Sequence, residues 1–411
     1  MTERRRVMLL IPNESYRTHD FMEAASRLEI DVVVGSDFAS PLESDGRQIA
    51  VSFGDMAKGV ATIERYAERF PLDSIVAVDD AGTRLAAHAA RRLELPHNAV
   101  AAVEATRDKS ILRTRIAAAG LPSPPSRVVR RSEDIAAVAA GLEYPVVLKP
   151  LALSASRGVI RADDAGAFVA AFRQIEAILE SPEVAEDCAG SADRILVEGY
   201  IPGYEVSVEG LLRDGELDVL AIFDKPDPME GPYFEETIYV TPSRHPAEAI
   251  DRIVRTTERA LAAIGLEDGP VHAELRVNER GAFPIDIAAR SIGGLCSRTL
   301  SFGTGMSLEE LLLRHAVKLP VESYDREARA AGVMMIPTPT AGVLQAVRGV
   351  AEAQSVELIE SVTISIPVGQ RVSTLPEGDE YLGFIFAKGL EAAAVEEALR
   401  QAHQQLEFEI V

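Results

Sequence analysis

Residues 271–294, VHAELRVNERGAFPIDIAARSIGG, decide the fold. Apolar and polar residues alternate on both sides of a turn at 278–281, which is typical of a β-hairpin. Glu274 lies on the first arm, Asp286 lies on the second, and Arg290 follows. A carboxylate on each of two paired strands supplies oxygen ligands suited to Mg²⁺, and a cation beyond them suits a phosphate or a developing oxyanion. The alternative is a surface hairpin with cross-strand charges.

The composition is typical of a soluble globular protein of two to four domains. The chain has 411 residues, of which 47% are hydrophobic and 26% are charged. No apolar run reaches the length of a membrane span. The net charge of −22 argues against a nucleic-acid partner but is compatible with an anionic ligand held by local lysines and Mg²⁺. Two cysteines, Cys188 and Cys296, give no disulfide framework, so we expect a cytoplasmic location.

The N-terminal part, up to about residue 95, alternates predicted strands and helices, which indicates a parallel sheet with flanking helices. Asp79 and Asp80 follow one of these strands. They lie either at the edge where open α/β sheets bind ligands or at the N-cap of the next helix. The region contains no GxGxxG sequence, so nothing supports a dinucleotide site.

The next part of the chain carries a second set of polar residues at the ends of predicted elements. Lys109 opens a helix, and Lys149 ends a strand before the small-residue loop 151–159, LALSASRGV. The loop residues that could cradle phosphate oxygens through their backbone N–H groups are Ser154, Ser156 and Gly158. The loop is not a Walker A sequence, and a plain connecting loop is the alternative. Glu198 ends a later strand, and Glu205, in VEGYIPGYE, could accept hydrogen bonds from a ribose diol.

In order and spacing, these motifs resemble the ATP-grasp superfamily over nearly the whole chain. The resemblance implies an α/β and α+β chain with the ATP-grasp fold. It implies a Rossmann-like N-terminal domain at 1–105, ATP-grasp lobes at 106–320 with a lid at about 122–200, and a compact α+β C-terminal domain at 321–411.

The resemblance also implies roles for individual residues. Lys109 and Lys149 correspond to the lysines that contact ATP phosphates, and Arg290 to the arginine of the acyl-phosphate region. The remaining implied positions are Glu198 and the backbone near Ile201 at the adenine, Glu205 at the ribose, and Glu274 and Asp286 as ligands of Mg²⁺, which Mn²⁺ could replace.

Departures from the general pattern resemble the L-amino acid ligase group. The stretch 286–290 reads DIAAR, so Ala288 stands where most superfamily members have an asparagine that binds metal. Glu236 corresponds to the carboxylate that holds the amino group of the first substrate, and Tyr239 stands where the group often has histidine. Residues 381–387 resemble part of the C-terminal domain of these ligases. Gly293 and Gly294 either leave room for a large substrate or only shape a turn.

The implied function is an ATP-dependent carboxylate–amine ligase that forms an amide or peptide bond through an acyl phosphate, with Lys149 and Arg290 as catalytic residues. The alternatives are another ATP-grasp ligase, of the purine-pathway or carboxylase type, and a catalytically silent ATP-binding module. We expect small carboxylate and amine substrates, no nucleic-acid or membrane partner, and a homodimer as the oligomeric state to test.

Overall fold

The computed structural model describes residues 5–12, 15–38, 47–182, 184, 188 and 190–411. The first elements are β1 Arg6–Leu10, α1 Thr18–Arg27, β2 Asp31–Ser36, β3 Gln48–Ala50, α2 Met56–Arg69, β4 Ser74–Ala77 and α3 Asp80–Arg92. The four strands pair in parallel in the order β3-β2-β1-β4, which confirms the predicted parallel sheet. Alternate residues of β1 enter hydrophobic cores on opposite faces, because successive side chains of a strand point to opposite sides.

A second, antiparallel sheet forms over the part of the chain predicted to be the lid. Its elements and the helices before it are α4 Val100–Arg107, α5 Lys109–Ala118, β5 Ser126–Arg130, α6 Ile135–Ala140, β6 Val146–Pro150, β7 Ile160–Ala162, α7 Ala165–Leu179 and β8 Arg194–Gly199. The strand order is β5-β8-β6-β7, and α7 buries Phe168 and Phe172 in the core beneath it. Helix α5 begins at Lys109 because the Asp108 carboxylate accepts hydrogen bonds from the backbone N–H groups of Ser110 and Ile111.

The predicted hairpin lies in the next group of elements. They are β9 Tyr204–Arg213, β10 Glu216–Lys225, β11 Ile238–Thr241, α8 Ala247–Ile264, β12 Gly269–Asn278, β13 Gly281–Ala288, a 3₁₀ helix Cys296–Thr299, β14 Ser301–Phe302, β15 Met306–Ser307 and α9 Leu308–Ala316. Strands β12 and β13 pair antiparallel from Asn278 and Gly281 at the turn, and Glu274 faces Asp286 across the pair. The predicted hairpin is therefore confirmed. A register shift between Glu274 and Leu275 marks a bulge at that point.

Three of the C-terminal strands extend the sheet that contains the hairpin, and three others form a small sheet of their own. The C-terminal elements are β16 Ala330–Ile336, β17 Gly342–Arg348, α10 Val350–Gln354, β18 Ile359–Ile364, β19 Arg371–Val372, β20 Gly383–Gly389, α11 Ala392–His403 and β21 Glu407–Ile410. The central sheet has eight strands in the order β13-β12-β9-β10-β11-β16-β20-β18. Pairing of β11 with β16 carries it across the boundary predicted at residue 320, so the domain limits stay predictions. No helix in the described ranges is both long and apolar enough to cross a bilayer.

Candidate active site

One cavity of about 440 Å³ brings together residues from all three parts of the chain. It is lined by the small-residue loop of the lid, by the ends of β4 and β8, and by β9, β12 and β13. Among the described residues, it contains every predicted site residue except Gly158. Those residues are Lys109, Lys149, Ser154, Ser156, Glu198, Ile201, Glu205, Glu236, Tyr239, Glu274, Asp286, Arg290, Gly293 and Gly294.

Gly158 shapes the lid loop behind the cavity wall. Its φ is +70°, and a Cβ there would lie 2.7 Å from Pro150 Cγ, so only glycine fits without movement. Its N–H donates to the carbonyl of Pro376 at 2.9 Å, which joins the lid loop to the C-terminal region. A role for Gly158 in phosphate binding stays a prediction.

The two predicted phosphate lysines present buried ammonium groups to the cavity. Lys109 Nζ donates to the Leu153 carbonyl at 3.0 Å and to Asp286 Oδ2 at 3.1 Å. Lys149 Nζ lies 2.7 Å from Glu198 Oε2. Burial lowers the pKa of Lys149, although Glu198 opposes the shift. Both amines are held in place, so they can contact an anionic ligand with little loss of side-chain entropy.

Arg113 is a site residue that the sequence reading missed. Its guanidinium donates to Glu198 and to the carbonyls of Pro284, at 2.8 Å, and Ile285, at 2.6 Å. Burial alone would raise the pKa of Glu198, but Arg113 and Lys149 lower it to about 2. Arg113 therefore joins α5 to β13 behind Lys149. Its position one helical turn after Lys109, on the same face, is the signal that could have found it.

An apolar slot lies beside the predicted adenine-binding backbone. Val147, Met229 and Phe234 are buried together, with Val159 and Tyr200 packed against them. The neighbouring Ile201 carbonyl accepts a hydrogen bond from Arg276 Nη1 at 3.2 Å, which fixes the direction of this backbone. An apolar slot with ordered backbone groups at its edge suits a planar aromatic ring.

Lys225 is the second residue that the sequence reading missed, and it lies at the centre of an acidic cluster. Its Nζ donates to Glu205 at 2.7 Å, Glu236 at 2.5 Å and Glu274 at 3.0 Å. One oxygen from each of these carboxylates lies within 4.8 Å of the others. Burial raises the pKa of Glu236 to about 7, with Lys225 lowering it and Glu274 raising it further. Three adjacent carboxylates need a cation among them, and their oxygen atoms suit Mg²⁺.

The predicted metal ligands belong to two neighbouring ion-pair groups. Glu274 contacts Lys225, and its Oε1 lies 3.5 Å from His272 Nε2, whereas Asp286 contacts Lys109. The acidic cluster therefore contains Glu274 but not Asp286. Since Asp286 faces Glu274 across the hairpin, its carboxylate borders the cluster. The donor set fits a divalent cation, and Lys225 and Lys109 are the groups it would compete with.

Arg290 is anchored by Asp80, the first residue of α3. It donates to Asp80 Oδ2 through Nη2 at 2.6 Å and Nε at 3.1 Å, and Arg107 lies 3.3 Å from the same carboxylate. Although burial opposes it, Arg290 and Arg107 hold the pKa of Asp80 well below its usual range. Asp79 occupies the N-cap position of α3, but its side chain accepts no capping hydrogen bond from the backbone N–H groups of that helix. The structure thus favours the interpretation that Asp79 and Asp80 lie at the edge where open α/β sheets bind ligands.

The cavity beyond Arg290 is mostly apolar. Its walls are contributed by Tyr16, Tyr239, Ile292, Cys296, Met335 and Tyr381. Gly293 borders it, and a Cβ there would meet only Arg290 Nη1, at 4.0 Å. Gly294 has φ +58°, and a Cβ there would lie 3.2 Å from Phe384 Cε1. Gly294 is therefore required by its backbone conformation, while Gly293 faces open space.

Comparison with known proteins agrees with this architecture. Three family models match in chain order: the ATP-grasp N-terminal domain at 22–97, the ATP-grasp domain at 142–299 and the L-amino acid ligase C-terminal domain 2 at 334–411. The chain is 31% identical over 268 residues to alanine–anticapsin ligase of Bacillus subtilis (strain 168), a match that covers 62% of this chain and 56% of the relative. The chain thus spans little more than half the length of this curated relative.

Solved structures show the same fold. The crystal structure of L-amino acid ligase from Bacillus licheniformis matches with a TM-score of 0.86 and 25% identity, over 100% of both chains. Phosphoribosylglycinamide synthetase from Anaerococcus prevotii matches with a TM-score of 0.69 at 14% identity, which shows a shared fold alone. The predicted fold is confirmed: the chain carries the N-terminal and central domains of the ATP-grasp superfamily, followed by a C-terminal domain of the L-amino acid ligase type.

Proposed function

We propose that this protein is an ATP-dependent carboxylate–amine ligase that forms an amide or peptide bond through an acyl phosphate and releases ADP and phosphate. The observation that carries the proposal is the convergence of Lys109, Lys149 and Arg290 with Glu274 and Asp286 on one cavity. Cations there suit a triphosphate, carboxylates suit its metal ion, and Arg290 lies at the entrance to an apolar pocket that suits a second ligand. The matched relatives are ligases, which supports the same reaction class.

The first step transfers the γ-phosphoryl group of ATP to the substrate carboxylate. A carboxylate is a poor acyl donor because oxide is a poor leaving group, and phosphorylation provides a better one. The transfer depends on alignment and on neutralising the phosphate oxygens. Lys109 and Lys149 are held on neighbouring elements for this purpose, and the slot formed by Val147, Met229 and Phe234 would hold the base. Bound Mg²⁺ would supply further charge neutralisation on the phosphates.

The second step is attack of the amine on the acyl carbon, with loss of phosphate. The carbonyl oxygen gains negative charge as the tetrahedral intermediate forms. Arg290 presents a guanidinium already oriented by Asp80, so it can stabilise that charge without reorganising. Glu236 would hold the amino group of the first substrate, the acyl donor, since its carboxylate lines the cavity together with Tyr239.

The acyl phosphate must be protected from water during this reaction. Contacts between the lid and the C-terminal region provide the closure. Arg157 lies 3.3 Å from Asp379, Gln174 donates to Glu377 at 2.7 Å, and Gly158 donates to Pro376 at 2.9 Å. Asp379 and Tyr381 also line the cavity, so the same segment that receives the lid forms part of the substrate site.

Removing a metal ligand should weaken Mg²⁺ binding. We expect Glu274→Gln or Asp286→Asn to raise the Mg²⁺ concentration needed for half-maximal ADP release by about tenfold or more, because each change removes a charged oxygen ligand. The measurement is ADP release and direct Mn²⁺ binding followed by electron paramagnetic resonance. Glu409→Gln, on the exposed last strand, is the control. Unchanged ADP formation in excess chelator would show that the hairpin is not a metal site.

Filling the pocket at Gly293 should change donor preference. We expect Gly293→Ala to raise the kcat/KM for small donors such as alanine relative to that for aromatic donors. In Gly293→Leu this ratio should rise further, by about 10-fold or more, because the added side chain occupies the space beside Arg290. The measurement is kcat/KM for each donor across an amino acid panel. An unchanged donor ranking in Gly293→Leu would show that this glycine does not line the donor pocket. Gly294 is a poorer probe, because its positive φ would strain any side chain.

The decisive experiment for the proposed function is a screen of ADP release and amide mass across paired amino acids and small carboxylic acids. Amide formed in proportion to ADP supports the ligase, whereas ATP bound without turnover for any pair would support the silent module.

The buried cysteines lie in separate cores, which supports a reducing compartment such as the cytoplasm. The homodimer stays a prediction, to be checked by light scattering on the purified chain.

A further inference from the structure

Two buried charged residues from different parts of the chain hold the segment that follows Arg290. Arg17, directly before α1, is 0% exposed. Its Nη1 donates to Ser291 Oγ at 2.7 Å and to the Ile292 carbonyl at 3.1 Å. Its Nη2 donates to Glu309 on α9 at 2.7 Å, and that carboxylate neutralises it. One side of the segment is therefore fixed by the N-terminal domain.

Glu209 on β9 fixes the other side. It is also 0% exposed, and both of its carboxylate oxygens lie 3.0 Å from the backbone nitrogen of Ile292, which donates to them. His272 Nδ1 lies 3.2 Å from the same carboxylate. The carbonyl of Ile292 thus bonds to a buried cation and its N–H to a buried anion, so this residue cannot shift without breaking charged hydrogen bonds.

The held segment is coupled directly to the proposed catalytic group. Arg290 Nη1 donates to the Ser291 carbonyl at 2.9 Å, so the guanidinium is braced by Asp80 on one side and by this segment on the other. Ile292 and Gly293 then form the wall of the pocket beyond it. Displacement of the segment would move Arg290 and the pocket wall together.

Packing alone does not account for this arrangement. Burying an ion pair costs desolvation, and apolar residues of similar volume often give equal or greater stability. Charged hydrogen bonds instead constrain the direction and the distance between the groups that they join. Because a displacement of about 1 Å at a reacting centre can cost on the order of 100-fold in rate, this geometry has a kinetic consequence.

We propose that Arg17 and Glu209 are positioning residues that keep Arg290 and the donor pocket aligned during acyl transfer. The inference rests on the proposed ligase function. The acyl phosphate has two fates: the amine attacks and yields amide and phosphate, or water attacks and returns the acid and phosphate. ADP is released in either case. Correct alignment favours the amine, so loosening the segment should uncouple ADP release from amide formation.

The test is the number of ADP molecules released per amide formed. This ratio is near one for a coupled enzyme and does not depend on the fraction of folded protein. We expect Arg17→Met and Glu209→Gln to raise it at least about threefold and to raise the donor KM, with the KM for ATP changed by less than about twofold. Arg17→Lys should give an intermediate ratio, because it keeps the charge but not the paired donors.

Two further variants separate positioning from folding. Glu309→Gln leaves both contacts between Arg17 and the segment in place, so its ratio should stay near one. The double variant Arg17→Met/Glu309→Leu removes the unpaired buried carboxylate, so it should recover a melting temperature close to wild type while its ratio stays raised. The positioning role would be overturned if the wild type is coupled and the variants lose ADP release and amide formation in equal proportion. A wild type that forms no amide would instead overturn the proposed function.

Discussion

Replacing Arg290 with alanine is expected to lower amide formation by about 10²–10³-fold with every donor, because the developing oxyanion loses its charged partner. The KM for ATP should change little, because Arg290 is bound to Asp80 and the phosphates of ATP are proposed to contact Lys109 and Lys149. The measurement is amide mass and ADP release under saturating ATP. Asp80 keeps Arg107 at 3.3 Å, so the variant should still fold, which circular dichroism would check.

Conservative and remote variants sharpen this expectation. Arg290→Lys keeps the charge but loses the planar pair of donors that Asp80 accepts, so we expect an intermediate loss. Arg348→Met, which removes an exposed ion pair with Glu409 far along the chain, should leave ligation at the wild-type rate. Near-normal amide formation in Arg290→Ala would exclude it as the oxyanion partner.

The hairpin and the parallel N-terminal sheet could be predicted from the sequence because their signals are local. Alternation over 271–294 requires a strand pair whose register brings Glu274 and Asp286 together. Even so, local signals could not show that Gly158 lies outside the cavity lining, because its N–H bonds to the carbonyl of Pro376, far along the chain.

The missed residues have partners on other elements of the chain. Lys225 reaches Glu205, Glu236 and Glu274, which lie on three other segments of the chain. Arg113 links a helix to a strand more than 150 residues later, and Arg17 reaches still further, to Glu309. A lysine or arginine in sequence normally indicates a solvated surface. Only the tertiary structure shows that these are buried and therefore require the carboxylates and carbonyls around them.

The buried position of Lys149 makes its replacement informative. We expect Lys149→Met to lower turnover by about 10²–10³-fold, because a phosphate contact in a site shielded from water is lost. Folding should survive, since Glu198 keeps its bonds to Arg113 when Lys149 is removed. Both ADP release and amide formation should fall together, because the phosphoryl step precedes acyl transfer. The measurement is single-turnover ADP formation.

Matched variants decide how the Lys149→Met result is interpreted. Lys58→Met removes an exposed lysine of α2 and should have no effect on turnover. The double variant Lys149→Met/Glu198→Gln removes the carboxylate charge as well, so it should restore any stability lost through unbalanced charge without restoring turnover. Recovery of turnover in the double variant would show that Lys149 only neutralises Glu198. Continued loss with a normal melting temperature would identify the ammonium group itself as the contact needed for phosphoryl transfer.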